Sequence, residues 1–362
     1  MSRWQFVPRQ KQSGGIAAIA AVVLALVFGA VVLAAVGASP LAVYKVFFID
    51  PFSSSYTLAE IANKTVTLAV IALALAIGFR ANVWNIGAEG QFTAGAVAAS
   101  FAAVMLIGES GRWAVFVVLF CGILGGMLWA VLPALLRAKV GVNEILTSLM
   151  MVYVALLMLS YVVHGPLKDP QGFNFPQSPL FDDSSLVPLL VEKTRLFATA
   201  LVLPPLALFC HWFMRRSWYG FEMRVIGLAP RAGGFGGMRA GRPVWISFLL
   251  AGAFAGLMGA AEVAGPAGQL TPIISPGYGF TAIIVAFLGR LHPLGIIGAA
   301  VLMATIQIGG ENGQIDLALP ASIAGVFQGL ILFSLLAADF AANYRIRRRH
   351  HHRHSRESGN PT

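Results

Sequence analysis

The sequence predicts an all-α polytopic membrane protein of about ten transmembrane helices, some of them broken. Three observations predict it. Of 362 residues, 57% are hydrophobic and only 11% charged, far from the usual balance of a soluble domain. Apolar runs long enough for a bilayer of about 30 Å recur along the chain. The basic residues gather between those runs, mostly on one side, as the positive-inside rule requires.

The runs fall near 16–38, 58–79, 88–107, 113–136, 145–163, 195–213, 244–264, 278–289, 294–309 and 321–340. The first is too long for a signal-peptide core and no clear cleavage site follows it, so it reads as a span. The eighth and ninth are short, which predicts broken or tilted helices of the kind tolerated where they line a protein interior. With the N-terminus inside, the inner segments carry nineteen Lys and Arg and the outer ones five, Lys64 lying within the second span. That asymmetry predicts two cytoplasmic termini and an even number of crossings. The chain then divides into a cytoplasmic segment 1–15, a membrane domain 16–340 and a basic, His-rich cytoplasmic tail 341–362.

A net charge of +10 would suggest nucleic acid in a soluble chain. Here the basic residues read as orientation signals and contacts with anionic lipid, with no nucleic acid partner. The tail, with His350, His351, His352 and His354, reads as solvated and disordered rather than as a metal site. Cys121 and Cys210 both lie in apolar runs, too few and too buried for a disulfide framework or a metal site.

The longest inner segment runs from Arg215 to Pro243 and holds six arginines with one acid, Glu222. Pro230 suits the first position of a short helix, where its missing N–H costs nothing. Such a helix carries Ala232, Phe235 and Met238 forward at helical spacing as a small apolar knob for a partner; the plainer reading is a solvated basic loop that fixes topology. On the other side, the segment 164–194 holds three aspartates and five prolines. It reads as extended and surface-lying, either a docking place for a soluble protein or a plain connection. A weak internal echo, GQFTAGAVAA from Gly90 and GFTAIIVAF from Gly279, falls on runs that cross in opposite directions, as inverted repeats do.

Polar groups beside an apolar core are expensive unless paired or facing water. In FRANVWNIGAEGQ, from Phe79, the residues Asn82, Asn85, Glu89 and Gln91 cluster around Trp84, the composition of a helix break facing a cavity. Glu60 and Lys64, four apart on one helix face, are placed to neutralise each other. Glu262, Gln269, Gln307 and Glu311 follow; each alone reads as an internal helix-to-helix hydrogen bond, and together they suggest a polar route. No G-x-x-x-x-G-K-[ST] loop, zinc-binding His pair or G-x-S-x-G elbow occurs, so an enzyme reading lacks a site.

Four segments carry a resemblance: FRANVWNIGAEGQFTAGA from Phe79, GVNEILTSLMMVYVA from Gly141, GFEMRVIGLAPRAGGFGGM from Gly220 and SPGYGFTAIIVAFLGR from Ser275. In this order and spacing they resemble the permease subunits of bacterial ATP-binding-cassette importers, in the nucleoside and simple-sugar branch related to branched-chain amino acid and ribose permeases. The likeness runs from the second span to the last. It implies a non-enzymatic permease that binds no cofactor itself and sits in the bacterial inner membrane. Its implied partners are a second permease subunit, identical or homologous, a cytosolic ATPase that uses the ATP, and an extracytoplasmic substrate-binding protein. The family's coupling helix maps onto Ala229, Pro230, Arg231, Ala232, Gly233, Gly234, Phe235, Gly236, Gly237 and Met238, with Arg231 and Phe235 as the contact. Gly233 and Gly234 stand where such permeases tend to have alanines. Each glycine costs about 1 kcal/mol of helix propensity, so the helix is expected to complete itself on docking. Substrate-pathway candidates are Asn82, Trp84, Asn85, Glu89, Gln91, Glu262, Tyr278 and Phe280, through stacking and hydrogen bonding. Arg80 at the inner end of the second span makes an inner gate or structural break the other reading of the Asn-Ile-Gly motif. An ion-coupled secondary transporter working as a single chain is the alternative, since it too needs broken helices and mid-membrane polar residues.

Overall fold

The computed structural model describes residues 4–8, 14–35, 37–109, 111–191 and 194–348. In chain order the helices are α1 (Gly14–Ala35), α2 (Pro40–Phe48), α3 (Ser55–Arg80), α4 (Ala88–Met105), α5 (Ala114–Leu135), α6 (Glu144–His164) and α7 (Leu203–Arg216). They continue as α8 (Trp218–Leu228), α9 (Pro230–Phe235), α10 (Gly241–Val263), α11 (Tyr278–Leu288), α12 (Pro293–Leu317) and α13 (Ile323–Asn343). Strand β1 (Trp4–Pro8) pairs antiparallel with β2 (Tyr344–Arg348), Trp4 opposite Arg348. This pairing puts both ends of the described chain on one face. Residues 349–362, with the four tail histidines, lie outside the described residues, as do 1–3 and 9–13 of the N-terminal segment. The boundary drawn at 341 falls inside α13, because Ala341 and Ala342 continue its helix.

Each of the ten apolar runs lies on a helix. Six described segments are long and apolar enough to cross a membrane by length and composition: Ser55–Arg80, Ala114–Val140, Glu144–His164, Ala198–Arg216, Gly241–Val263 and Pro293–Leu317. The α11 helix has 11 residues, about 16 Å at 1.5 Å each, so it reaches only halfway through about 30 Å of hydrocarbon. The ninth run is not short. Its helix α12 continues through Glu311 to Leu317, because Gly309 and Gly310 are places where Phe47 and Ala324 press against it and not a break. The short α2, with Pro40 in its first turn and Val43, Val46 and Phe47 turned inward, was not foreseen.

Packing makes α3 the central helix. Its apolar window is 89% buried, against 22% for that of α5, and it is hydrophobic on every side, as a helix wrapped by others must be. Around it stand α7, α10, α11 and α12. Beside it, α4, α5 and α10 meet through glycines. A Cβ built at Gly256 would lie 2.2 Å from the Gly122 carbonyl oxygen, and one at Gly126 2.2 Å from that of Gly252. Helices approach this closely only where small residues recur at four-residue spacing. Here the pairs are Gly122 with Gly126 and Gly252 with Gly256.

Two irregular connections set the site. Between α3 and α4 the chain turns back at Asn82, φ 57°. Between α10 and α11, residues 264–277 form a strap ending at Gly277, φ 91°. The long segment after α6 closes onto this strap. Ser178, Phe181 and Val187 donate their N–H groups to the carbonyls of Leu270 (2.9 Å), Gly268 (3.0 Å) and Ala264 (2.7 Å).

Candidate functional site

The turn from Phe79 to Gln91 lies along α11, held at both ends. Arg80 Nη2 donates to the Leu291 carbonyl at 2.6 Å, and at the other end the Gly279 N–H donates to Glu89 Oε2, also at 2.6 Å. Glu89 thereby occupies the N-terminus of α11, where a carboxylate is favoured by the helix dipole. Phe287, Phe79 and Trp84 form one aromatic cluster: the Phe287 ring centroid is 5.0 Å from Phe79 and 5.7 Å from Trp84, and those two are 5.2 Å apart. Trp84 Nε1 donates to Asn82 Oδ1 at 3.0 Å.

Deeper in, Asn85 Nδ2 donates to Gln91 Oε1 at 3.1 Å, and Asn85 Oδ1 accepts from the Gly87 N–H at 2.9 Å. The Ile86 N–H donates to Ser148 Oγ at 3.1 Å. Asn85, Glu89 and Gln91 are buried, and each is committed to a partner within the chain. The geometry therefore makes them positioning residues of the turn in this conformation. Asn82 is exposed and Trp84 half-buried. Tyr278 is buried, whereas Phe280 is 40% exposed.

A second group gathers where α3 begins and α10 and α12 end. Lys64 Nζ pairs with Glu311 Oε1 at 2.9 Å and lies 5.8 Å from the Tyr278 ring centroid. Arg195 Nη1 approaches Glu60 Oε1 to 3.1 Å, at ion-pair distance but outside hydrogen-bond geometry, and donates to Tyr56 Oη at 3.0 Å. Arg195 Nη2 donates to the Pro266 carbonyl at 2.8 Å, while Asn63 Nδ2 donates to the Arg195 carbonyl at 2.5 Å. Glu262 lies within electrostatic reach of all four charges. The expected neutralisation of Glu60 by Lys64 is corrected: each takes a partner from a distant segment instead. A local i,i+4 pair is worth only about 0.2–0.5 kcal/mol, so tertiary partners in a partly buried setting displace it. Gln269 Nε2 reaches Gln177 Oε1 at 3.5 Å. Gln307 is buried, with its Oε1 unpartnered among the described residues.

The third group is the segment after α7. It is more built than a loop. Ser217 caps α8 by accepting from the Gly220 N–H at 2.9 Å, and Glu222, 1% exposed, pairs with Arg242 Nη1 at 3.2 Å. The helix α8 lies directly on the end of α3. A Cβ at Gly227 would be 2.4 Å from the Arg80 carbonyl oxygen. After Ala229 the foreseen short helix α9 starts at Pro230 and ends with the Met238 N–H donating to the Gly233 carbonyl at 3.0 Å, Gly237 at φ 76°. That is a Schellman-type stop. It forms without a docked partner, because Pro230 fixes its start and Gly237 its end. Phe235 is 95% exposed; Arg231 and Ala232 are exposed too, while Met238 is half-buried. The sequence reading missed α8, although Ser217 in a capping position before Met223 and Ile226 was the available signal.

The two helix glycines differ. A Cβ at Gly233 would meet Ile226 Cγ1 at 3.1 Å, and one at Gly234 would meet nothing within 4 Å. Gly234→Ala is therefore expected to stabilise α9 by about 1 kcal/mol, whereas Gly233→Ala pushes α9 off α8. Amide hydrogen exchange across residues 230–238 reads the difference; faster exchange in Gly234→Ala would refute it.

Comparison with known proteins agrees with this architecture. Residues 57–336 match the family described as branched-chain amino acid transport system / permease component. The chain is similar to the glucose ABC transporter permease protein TsgB13 of Haloferax volcanii, 35% identical over 90% of this chain and 88% of that one. It is also similar to the guanosine ABC transporter permease protein NupP of Bacillus subtilis, 28% identical over 90% and 93%. With the nucleoside ABC transporter permease protein NupB of Lactococcus lactis it shares 26% identity over 86% and 88%. No solved structure matches. With a family match over most of its length and relatives aligned nearly end to end, the chain belongs to the branched-chain amino acid transport system permease family, in its nucleoside and simple-sugar branch, as a multi-pass membrane protein and a non-enzymatic transport subunit.

Proposed function

We propose that this chain is the pathway-forming subunit of an ATP-driven importer that carries a nucleoside or simple sugar inward by alternating access. The observation that carries the reading is a continuous rigid contact. The exposed Phe235 sits on α9, α9 joins α8 at Ala229, α8 abuts the backbone of Arg80 at Gly227, and the turn from Arg80 leads to the Glu89–Gly279 junction. A partner that grips α9 and moves with nucleotide binding displaces α8 as a body. The displacement reaches α11 through contacts too close to absorb it, since packed interfaces shift between discrete arrangements. The chain binds no cofactor in this reading; ATP is used by a separate cytosolic ATPase seated on Arg231 and Phe235.

Ten crossings with both termini cytoplasmic, in a bacterial inner membrane, fit the charge asymmetry and the paired ends. A second permease subunit, identical or homologous, completes the pathway, and an extracytoplasmic binding protein delivers solute near the segment 164–194. Among the pathway candidates, Phe280 and the half-buried Trp84 are the aromatic groups with accessible surface for a base or sugar face. The Lys64–Glu311 pair, with Lys64 5.8 Å from the Tyr278 ring centroid, supplies polar groups near the start of α11.

Phe235→Asp tests the docking. Phe235 is 95% exposed, so folding is expected to be unchanged. Placing a charge at the centre of an apolar contact costs an interface several kcal/mol, so co-purification of the ATPase should be lost, at least about tenfold per 1.4 kcal/mol. Undiminished co-purification with Phe235→Asp would remove α9 as the docking element.

A further inference from the structure

Where α3 ends and α12 begins, beside α7 and α8, the bundle forms a partly open recess of about 110 Å³ whose lining includes Arg80, His211, Arg224 and His292, with the exposed Arg215. Its floor is apolar, from α3 and α12. Five basic side chains from four separate parts of the chain converge on it. No carboxylate lines it, and among the described residues none pairs with any of the three arginines. The uncapped N-terminus of α12, which begins at Pro293, adds a positive dipole end at the same place. Burial first, then Arg80, His211 and Arg215, hold the His292 imidazole below its ordinary value, as expected of an uncompensated positive field.

Positive-inside orientation explains basic residues on this face but not their convergence on one recess. A solvated arginine spreads into water; here Arg80 is half-buried and fixed by its bond to the Leu291 carbonyl. That bond uses one of its five donors. Among the described residues Arg224 makes one bond, Nε to the Gly220 carbonyl at 3.3 Å, which leaves its terminal nitrogens for a ligand. Planar guanidinium forks match tetrahedral oxyanions, and a recess of about 110 Å³ has room for one phosphate group.

We propose that this cavity binds a phosphate group through Arg80, Arg215 and Arg224, tying α8 to α3, α7 and the start of α12. The phosphate belongs either to an anionic phospholipid headgroup or to a free phosphate in the cytosol. Because α8 carries α9, occupancy stiffens the elbow between the coupling helix and the membrane core, which goes beyond the transport reading and does not depend on it.

The full chain, purified in phosphate-free maltoside detergent and stripped of lipid, is the material for the test. Its unfolding midpoint is measured at constant ionic strength with inorganic phosphate and, separately, with phosphatidylglycerol. A rise of about 2–4 °C with inorganic phosphate identifies the free anion; a rise with phosphatidylglycerol alone identifies the headgroup. Arg215→Gln and Arg224→Gln should abolish the rise, while Arg216→Gln, which removes the same charge beside the cavity but does not line it, should keep it. Should Arg224→Gln fail to fold, Arg224→Lys keeps the charge, gives up the fork and should weaken binding severalfold. No rise with either ligand, or equal loss in Arg216→Gln, would overturn the proposal.

Discussion

Gly256→Val is expected to leave almost no monodisperse protein in detergent. A Cβ at this position would lie 2.2 Å from the Gly122 carbonyl oxygen and 2.9 Å from Gly126 Cα. Both obstacles are backbone, so no side chain can swing aside and α5 must move from α10 as a whole. Overpacking a core that can adjust costs about 1–3 kcal/mol; here adjustment means separating two helices that meet backbone to backbone in the small-residue seam. A loss above about 3 kcal/mol is a large share of a typical stability of about 5–15 kcal/mol. Gly298→Ala, where nothing lies within 4 Å of the new Cβ, should behave as the parent. Size-exclusion profiles and unfolding midpoints of the two variants check this directly, and a well-folded Gly256→Val would mean that the seam is looser than drawn.

Gly279→Val should do something different: stop transport while leaving the ATPase attached. Its Cβ would meet Glu89 N at 2.2 Å and Glu89 Cα at 2.6 Å, prising the start of α11 from the start of α4. The docking face proposed on α9 is untouched by this change, so assembly is expected to survive while the proposed moving junction is jammed. Solute uptake in vesicles is expected to fall at least about tenfold, the equivalent of about 1.4 kcal/mol. Glu89→Gln is the graded companion. It keeps a carbonyl to accept the Gly279 N–H without adding bulk, so its loss should be partial. Full uptake by Gly279→Val would exclude this junction from the transport cycle, and loss of the ATPase as well would mark it as a folding contact.

The parts of this architecture that were legible in the sequence are those with a local cause. A run of about twenty apolar residues has few fates besides a spanning helix, because the bilayer satisfies no backbone group. The α9 helix was legible for the same reason: Pro230 and the spacing of Ala232, Phe235 and Met238 act within one turn or two. What escaped is non-local. Lys64 abandons Glu60 for Glu311, 247 residues away, and Asn63 finds the Arg195 carbonyl across 132. Glu89 meets Gly279 across 190 residues, and no pattern within FRANVWNIGAEGQ names that partner. The glycine pairs 122/126 and 252/256 stand openly in the sequence, but spacing alone does not say which helices they join. Nor could composition distinguish Asn85 and Gln91 as pathway groups from what they are in the fold, each other's hydrogen-bond partners.

The hydrogen bonds that stitch Ser178, Phe181 and Val187 to the strap before α11 have a consequence for communication across the membrane. That strap feeds straight into Gly277 and the Glu89 junction, so in the importer reading proposed above a push on the segment 164–194 and a push at Phe235 converge on the same few atoms. A loaded receptor and a nucleotide-bound motor would then not need to signal to each other through solvent or lipid: each would feel the other's presence as a change in the stiffness of one shared hinge.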